Sequence, residues 1–197
     1  MNVERQEQLE RQLADLLDAG DVRAAAGEAV RGYGAEIAAY LRAVLRDPAA
    51  ADEVFSRVCE KFWRGLGRFR RESSVRSWLY RIAWSAARDF EKEGPRVRTR
   101  RLHTSEASRI AAEVLSSQPA YARSSSAQAI ERLRANLEPE EQTLLTLRLH
   151  AGLSWKEVAA VLGSPDQRLD EAAVRARFAR LKLKLREMAK AAGLLGA

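Results

Sequence analysis

The chain has 197 residues, 46% of them hydrophobic and 31% charged, with a formal net charge of +7 and a pI near 10.0. That length allows one domain or two small ones, the composition excludes broad disorder, and the positive balance points to a polyanionic partner, nucleic acid ahead of an anionic membrane. One cysteine excludes an internal disulfide framework, in keeping with a reducing cytoplasm, and no apolar run reaches the roughly 18–20 residues of a membrane span.

Ala and Leu are abundant, Gly and Pro sparse, and no stretch alternates apolar and polar positions with β-branched residues, so the expected fold class is all-α. The N-terminus, MNVERQEQLERQ, lacks the apolar core of a secretory signal, and a soluble cytoplasmic protein without membrane insertion is expected. Val3 to Leu17 reads as an amphipathic helix closed by Gly20. Asp21 can cap an Ala-rich helix from Val22 to Val30. Gly32 and Gly34 are expected to loosen the chain around Tyr33 before a further stripe of Ile37, Tyr40, Leu41, Val44 and Leu45, which Asp47-Pro48 stops.

Ala49 to Trp63, AAADEVFSRVCEKFW, reads as a compact helix with Val54, Phe55, Val58, Cys59 and Phe62 on or near one face. Glu53, Arg57, Glu60, Lys61 and Arg64 make its other side a dense surface of mixed charge. Cys59 on that apolar stripe reads as a small core residue rather than a redox switch or ligand. His103 and His150 share no ligand spacing with it, so neither metal nor cofactor is expected.

The stretch Leu66 to Glu93, LGRFRRESSVRSWLYRIAWSAARDFEKE, opens on a basic loop, Arg68-Phe69-Arg70-Arg71, and the pair Ser73-Ser74. A helix follows, with Trp78, Leu79, Ile82, Ala83 and Ala86 as its expected buried stripe. Arg76, Tyr80, Arg81, Trp84, Arg88 and Lys92 fall largely off that stripe. Cations hold phosphates and aromatic rings stack on unpaired bases, so this mixture suits a single-strand nucleic-acid surface. It equally suits an ordinary amphipathic helix whose Trp and Tyr serve the core.

After Gly94-Pro95 the composition changes. Arg96, Arg98, Arg100 and Arg101 form a basic run, and Ser105 to Ser126 is rich in Ser and Ala, so residues 94–127 are expected to be a flexible linker between domains at 1–93 and 128–197. Within it Ile110, Ala111, Val114 and Leu115 read as a short helix or docking segment. The second domain holds a helix through Ile130, Leu133 and Leu137. Another opens at Pro139-Glu140-Glu141, with Leu144, Leu145, Leu147 and Leu149 as its buried face. Ser154 and Glu157 form a capping box, and the last long helix starts near Asp170 with Val174, Phe178, Leu181 and Leu185 inward. Helix, turn and basic helix make a helix-turn-helix pattern that lays Arg175, Arg177 and Arg180 toward a DNA major groove.

Taken together, RFRRESSVRSWLYRIAWSAARD and GLSWKEVAAVLGSP followed by VRARFARLKLKL resemble the sigma-2 and sigma-4 motifs of bacterial extracytoplasmic-function sigma factors, group 4 of the sigma-70 family. The resemblance covers about Leu16 to Glu93 and Ile130 to Leu185. It implies two small helical domains, a sigma-2 bundle and a sigma-4 helix-turn-helix, that recognise promoter DNA for core RNA polymerase and lack catalytic activity. The −10 strand would be captured by Phe69, Arg70, Arg71, Ser73, Ser74, Arg76, Tyr80, Trp84, Ser85 and Arg88. The −35 duplex would be read by Ser154, Lys156, Arg175, Arg177, Arg180 and Lys182. AADEVFSRVCEKFWR is similar to the helix that docks on the polymerase, which implies contacts from Glu53, Ser56, Arg57, Glu60, Lys61 and Arg64. Many relatives are held inactive by an anti-sigma protein, so such a partner belongs to the same expectation.

This chain departs from the family pattern in three places. Ser56 and Arg57 stand where Gln and an acid are usual, Ser85 where Asn is common, and the turn from Gly163 to Val174, with Pro165, Asp166, Arg168 and Asp170, exceeds the usual roughly 3–4 residues. The alternative function is a stand-alone helix-turn-helix regulator that binds duplex DNA unaided. It accounts for the C-terminal half and leaves the face from Trp78 to Arg88 without a purpose. A helical adaptor for acidic proteins is a further alternative, marked by salt-sensitive DNA binding without a specificity ratio. An enzyme is disfavoured because no metal cluster, phosphate loop or nucleophile-base constellation is present in the sequence.

Overall fold

A computed structural model describes residues 3–93, 106–117, 136–163 and 169–194. Its helices are α1 (Val3–Asp18), α2 (Val22–Leu45), α3 (Pro48–Gly65), α4 (Val75–Lys92), α5 (Glu106–Ser116), α6 (Pro139–Leu145), α7 (Trp155–Leu162) and α8 (Glu171–Ala191), and no strand occurs among the described residues. The all-α expectation holds. The chain divides into two compact units, Met1–Gln118 and Pro119–Ala197.

Local chemistry sets the helix starts. Asp21 accepts from Ala24 N at 2.9 Å. Asp47 accepts from Ala49 N and Ala50 N, with Pro48 in the first turn, where its missing N–H costs nothing. Ser74 accepts from Ser77 N at 3.1 Å, and Asp170 from Ala173 N at 2.6 Å. Reciprocal capping boxes open α6 through Glu138 and Glu141 and α7 through Ser154 and Glu157. Each such cap satisfies donors that the helix itself cannot.

In the first unit α2 packs against α1, α3, α4 and α5. It is one continuous helix, not two segments parted at Gly32 and Gly34, and Tyr33 between those glycines is fully buried. The two glycines serve close approach instead. A Cβ on Gly32 would lie 2.2 Å from Leu9 Cδ2 of α1, and one on Gly34 would meet Val114 of α5 and Phe55 of α3 at 3.1–3.2 Å. The helix propensity lost at two positions, about 1 kcal/mol each, is offset by tight packing on two sides. Tyr33, Ile37, Tyr40, Leu41, Phe55, Phe62, Leu79 and Tyr80 form the centre of this core.

The segment expected to be linker contains α5, which packs on α2 and α3 through buried Ala107, Ile110, Ala111 and Val114. The basic run at Arg96, Arg98, Arg100 and Arg101 lies outside the described residues, as do Ile130 and Leu133 of the expected helix and Pro165, Asp166 and Arg168 of the long turn.

The second unit packs α6, α7 and α8 around Leu144, Leu147, Val158, Val161, Val174 and Leu181. Leu149, expected inside, is exposed. The cause is a wide turn at Thr146–His150, closed by Ala151 N donating to Thr146 O at 2.9 Å. One extra residue in the turn carries Leu149 off the buried row that Leu145 occupies.

Cys59 is fully buried, and burial pushes its thiol up to about 12. At pH 8 the native thiol is therefore protonated as well as shielded. Thiol-reagent titration should show no rapid reaction in the native chain and one equivalent in denaturant; fast native labelling would contradict the packing.

Candidate nucleic-acid interface

The phase of α4 is rotated from the expected one. Its inward face holds Val75, Arg76, Leu79, Tyr80, Ala83, Trp84, Ala87 and Phe90, so Arg76, Tyr80 and Trp84 are buried rather than presented to solvent. The expected stripe counted apolar side chains and left out aromatic and cationic ones that find partners inside. Trp78, placed in the core by the sequence, is half exposed.

Those partners come from α1 and α2. Glu10 accepts from Val75 N and Arg76 N, each at 3.0 Å, and from the Tyr33 hydroxyl at 2.8 Å. A carboxylate from another helix thus caps α4, where free N–H groups and the helix dipole favour negative charge. Glu36 receives two bonds from the Arg76 guanidinium, Nε donating at 3.2 Å, and one from the Tyr80 hydroxyl at 2.5 Å. Arg76 also donates to Gln6 at 3.1 Å. Burial first, and then the neighbouring carboxylates, raise both phenols above their ordinary range, Tyr33 beside Glu10 and Tyr80 beside Glu36, so they stay donors. Gln6, Glu10, Tyr33 and Glu36 carried no local signal in the sequence, because their contacts bridge distant helices.

Outward on α4 lies a row of Arg81, Ser85, Arg88 and Lys92, with Trp78 at its border and exposed Asp89 and Glu91 on its flanks. Phe69, from the loop before α4, stacks on Trp78 at 4.9 Å and 20°, and Phe62 supports Trp78 from below at 5.1 Å. Phe69 keeps partial exposure beside exposed Arg70 and Arg71. Arg71 holds a left-handed backbone, φ 58°, and is anchored to Asp18 at 2.6 Å; such a φ is uncommon outside glycine. Ser73 and Ser74 are half-buried, and the Ser74 hydroxyl is committed to capping α4. Arg88 lies 5.7 Å over the ring of Trp84, whose Nε1 is buried without a hydrogen-bond partner.

The charged side of α3 is largely paired. Arg57 bonds Glu53 at 2.6 Å and Glu93 at 2.7 Å. Burial opposes its charge, yet those carboxylates raise its pKa. Lys61 meets Asp89 at 3.3 Å, and Arg64 meets Glu60 at 3.0 Å. Ser56 bonds back to Asp52 O at 3.1 Å. Glu60 is buried, with Ser108 of α5 donating to it at 3.4 Å; the other five remain at least partly exposed.

In the second unit Trp155 joins α7 to α8. Arg148 lies 4.2 Å over its ring and Arg175 5.7 Å, and Phe178 meets it edge-on at 5.4 Å. Arg175, also paired with Glu171 at 3.2 Å, is exposed together with Lys156, Arg180 and Lys182. Ser154 is exposed, with its hydroxyl engaged by Glu157. Arg177 differs: it turns back to pair with Glu140 of α6, and Lys184 does the same with Glu141 at 2.6 Å. Burial works against the Glu141 charge, but Lys184 and the Glu138 N–H hold its carboxyl below the ordinary range.

Residues 29–97 match the Sigma-70 region 2 family. Over 176 residues the chain is 29% identical to the RNA polymerase sigma-H factor of Pseudomonas aeruginosa, an alignment covering 86% of this chain and 91% of that protein. Residues 29–97 thus carry a Sigma-70 region 2 pattern, and over most of its length the chain is similar to an RNA polymerase sigma factor. Its fold is similar to that of CnrH, solved in complex with the cytosolic domain of CnrY, with TM-score 0.62 and 24% identity over 93% of this chain and 98% of that one. It is also similar to the sigma factor RpoE of Bartonella quintana, solved with the anti-sigma factor NepR, with TM-score 0.57 and 17% identity over 79% and 90% of the two chains. The Sigma-70 region 2 match contains the α4 face, the charged side of α3 and Glu36.

Two outcomes follow. Replacing Glu10 with Ala strips the cap from α4 and the acceptor from Tyr33, and should cost about 1–3 kcal/mol in urea unfolding; an unchanged midpoint would show the network to be incidental. Replacing Arg175 with Ala should relax discrimination between duplex sites by about 1–3 kcal/mol. Arg177→Ala should lower stability by about 1 kcal/mol or less and leave the discrimination intact, as competition binding on matched and mismatched duplexes would show.

Proposed function

We propose that the chain is an RNA polymerase sigma factor of the extracytoplasmic-function group, which divides promoter recognition between its two units and joins core RNA polymerase through α3. The first unit takes the −10 element as single strand: Phe69 stacked on Trp78 offers a face to an unpaired base, while Arg70, Arg71, Arg81, Arg88 and Lys92 hold phosphates. Ser85 offers a small polar contact in the same row. The observation that carries this reading is the half-exposed Phe69–Trp78 stack bordered by the exposed α4 cations. Arg76, Tyr80, Trp84 and the Ser74 cap serve by fixing α4 rather than by touching DNA.

The second unit reads the −35 duplex with Arg175, Arg180 and Lys182 from α8 and Lys156 from α7, a division that the helix-turn-helix arrangement and the exposure of these side chains support. Magnitudes require the polymerase. A stacked base gains about 1–3 kcal/mol, while each opened base-pair step costs about 1.4 kcal/mol. A bubble of many steps exceeds what one small unit supplies. Both solved neighbours were captured with a partner protein, and that, with the exposed charged surface of α3, supports an anti-sigma partner here as well.

Phe69→Ala should weaken holoenzyme binding to a forked −10 probe by about 1–3 kcal/mol while leaving closed-complex affinity for duplex promoter near the wild-type value. Equal loss on both probes would assign Phe69 to folding and remove the single-strand role.

A further inference from the structure

The α5 helix is part of neither proposed DNA surface, yet it has a prepared seat. Ile110 and Val114 sit one turn apart on its inner side, and Gly27 and Gly34 sit two turns apart on α2 beneath them. A Cβ on Gly27 would lie 3.6 Å from Ile110 Cδ1, and one on Gly34 would lie 3.1 Å from Val114. Ala107, Ile110, Ala111 and Val114 are all buried there. Polar ties fix the register: Arg23 of α2 to Glu106 at 2.5 Å, and Ser108 to Glu60 of α3 at 3.4 Å.

The seat is shallow as well as prepared. Two of the four buried side chains are alanines, and a cleft lined by Arg31, Trp63, Glu106 and Ile110 stays open at the first turn of α5. A helix of 11 residues is too short to persist alone in water, so undocking and unwinding are one event. Docked, α5 bonds through Ser108 to Glu60, the buried member of the α3 surface assigned above to the polymerase and the partner of Arg64, while the other five members stay at least partly exposed.

We propose that α5 is an intramolecular cover over the α2–α3 groove, seated in the free chain and displaced when core polymerase docks on α3. The proposal rests on the reading of α3 as the polymerase surface. A cover of this kind lowers apparent affinity by the fraction of time the groove is open.

The test uses the full chain, hydrogen exchange of α5 with and without core RNA polymerase, and dissociation constants for two variants. The α5 amides should lose protection in the complex. Ile110→Asp, which unseats the helix, should bind core polymerase about tenfold more tightly, as expected if the groove is open about a tenth of the time. Arg23→Ala, which removes only the exposed tie to Glu106, should shift affinity less and in the same direction, and it decides the matter if Ile110→Asp loses protection in α2–α4. Retained α5 protection in the complex, or no gain in affinity from the folded variants, would overturn the cover. Arg64→Glu reports separately on α3: unchanged affinity there would remove the polymerase surface from α3, while α5 exchange still reads the cover.

Discussion

The first unit depends on two carboxylates, Glu10 and Glu36, set against the start of α4 from α1 and α2. Without them the two backbone N–H groups at Val75 and Arg76, the Arg76 guanidinium and two buried phenols would lack these acceptors in a low-dielectric interior. An unsatisfied buried donor costs about 1–3 kcal/mol, and a buried charge stripped of its partner about 3–5 kcal/mol. Those penalties fix the rotation of α4 about its axis, because any other phase leaves Arg76 or Tyr80 with no acceptor in reach. The outward row of Arg81, Ser85, Arg88 and Lys92 follows from that phase.

On the proposed reading, rigidity of α4 matters because its DNA surface works by geometry. A row of cations finds phosphates only at matching spacing, and Phe69 presents a stacking face only while Trp78, itself propped by Phe62, stays beneath it. Ordering these side chains at the moment of binding would subtract about 0.5–1.5 kcal/mol for each one immobilised. The buried network and the aromatic pile do that ordering during folding. Arg148, Arg175 and Phe178 around Trp155 play the corresponding part between α7 and α8.

The helices were legible because caps and apolar spacing are local. Asp21, the Ser154–Glu157 pair and Asp170 each announce a helix start within four residues and do so in the structure; Asp47, read as a stop, and Ser74, read as a polar pair with Ser73, prove to be caps as well. The site was legible as a region rather than residue by residue. RFRRESSVRSWLYRIAWSAARD marks the surface, but counting apolar periodicity put Trp78 inside and Tyr80 and Trp84 outside, since a pattern in one helix cannot show that Glu36 waits to receive Arg76 and Tyr80. The same blindness to distant partners hid the use of Gly32 and Gly34, which read locally as breaks and serve as seats for Leu9 and Val114. Arg177 and Leu149 failed for related reasons, one drawn back by Glu140, the other turned outward by a single wide turn.

Two kinds of contact therefore hold the first unit, and they differ in how easily they come apart. The α1–α2–α4 network is charged, buried and mutually satisfied, so opening any part of it exposes several groups at once and is resisted as a whole. The seat of α5 is made of small apolar side chains in a glycine-lined groove, closed at its edge by an ion pair whose arginine is largely exposed; exposed pairs contribute about 1 kcal/mol or less. Local opening follows the weaker set, because an 11-residue helix seated by apolar contacts and exposed polar ties gives up fewer charged partners on leaving than α4 would. On the proposed reading, one helix held fixed for DNA and another yielded to a larger enzyme need that difference, and the residue types supply it: Glu10, Glu36, Arg76 and Tyr80 lock α4, while α5 is seated by Ala107, Ile110, Ala111 and Val114.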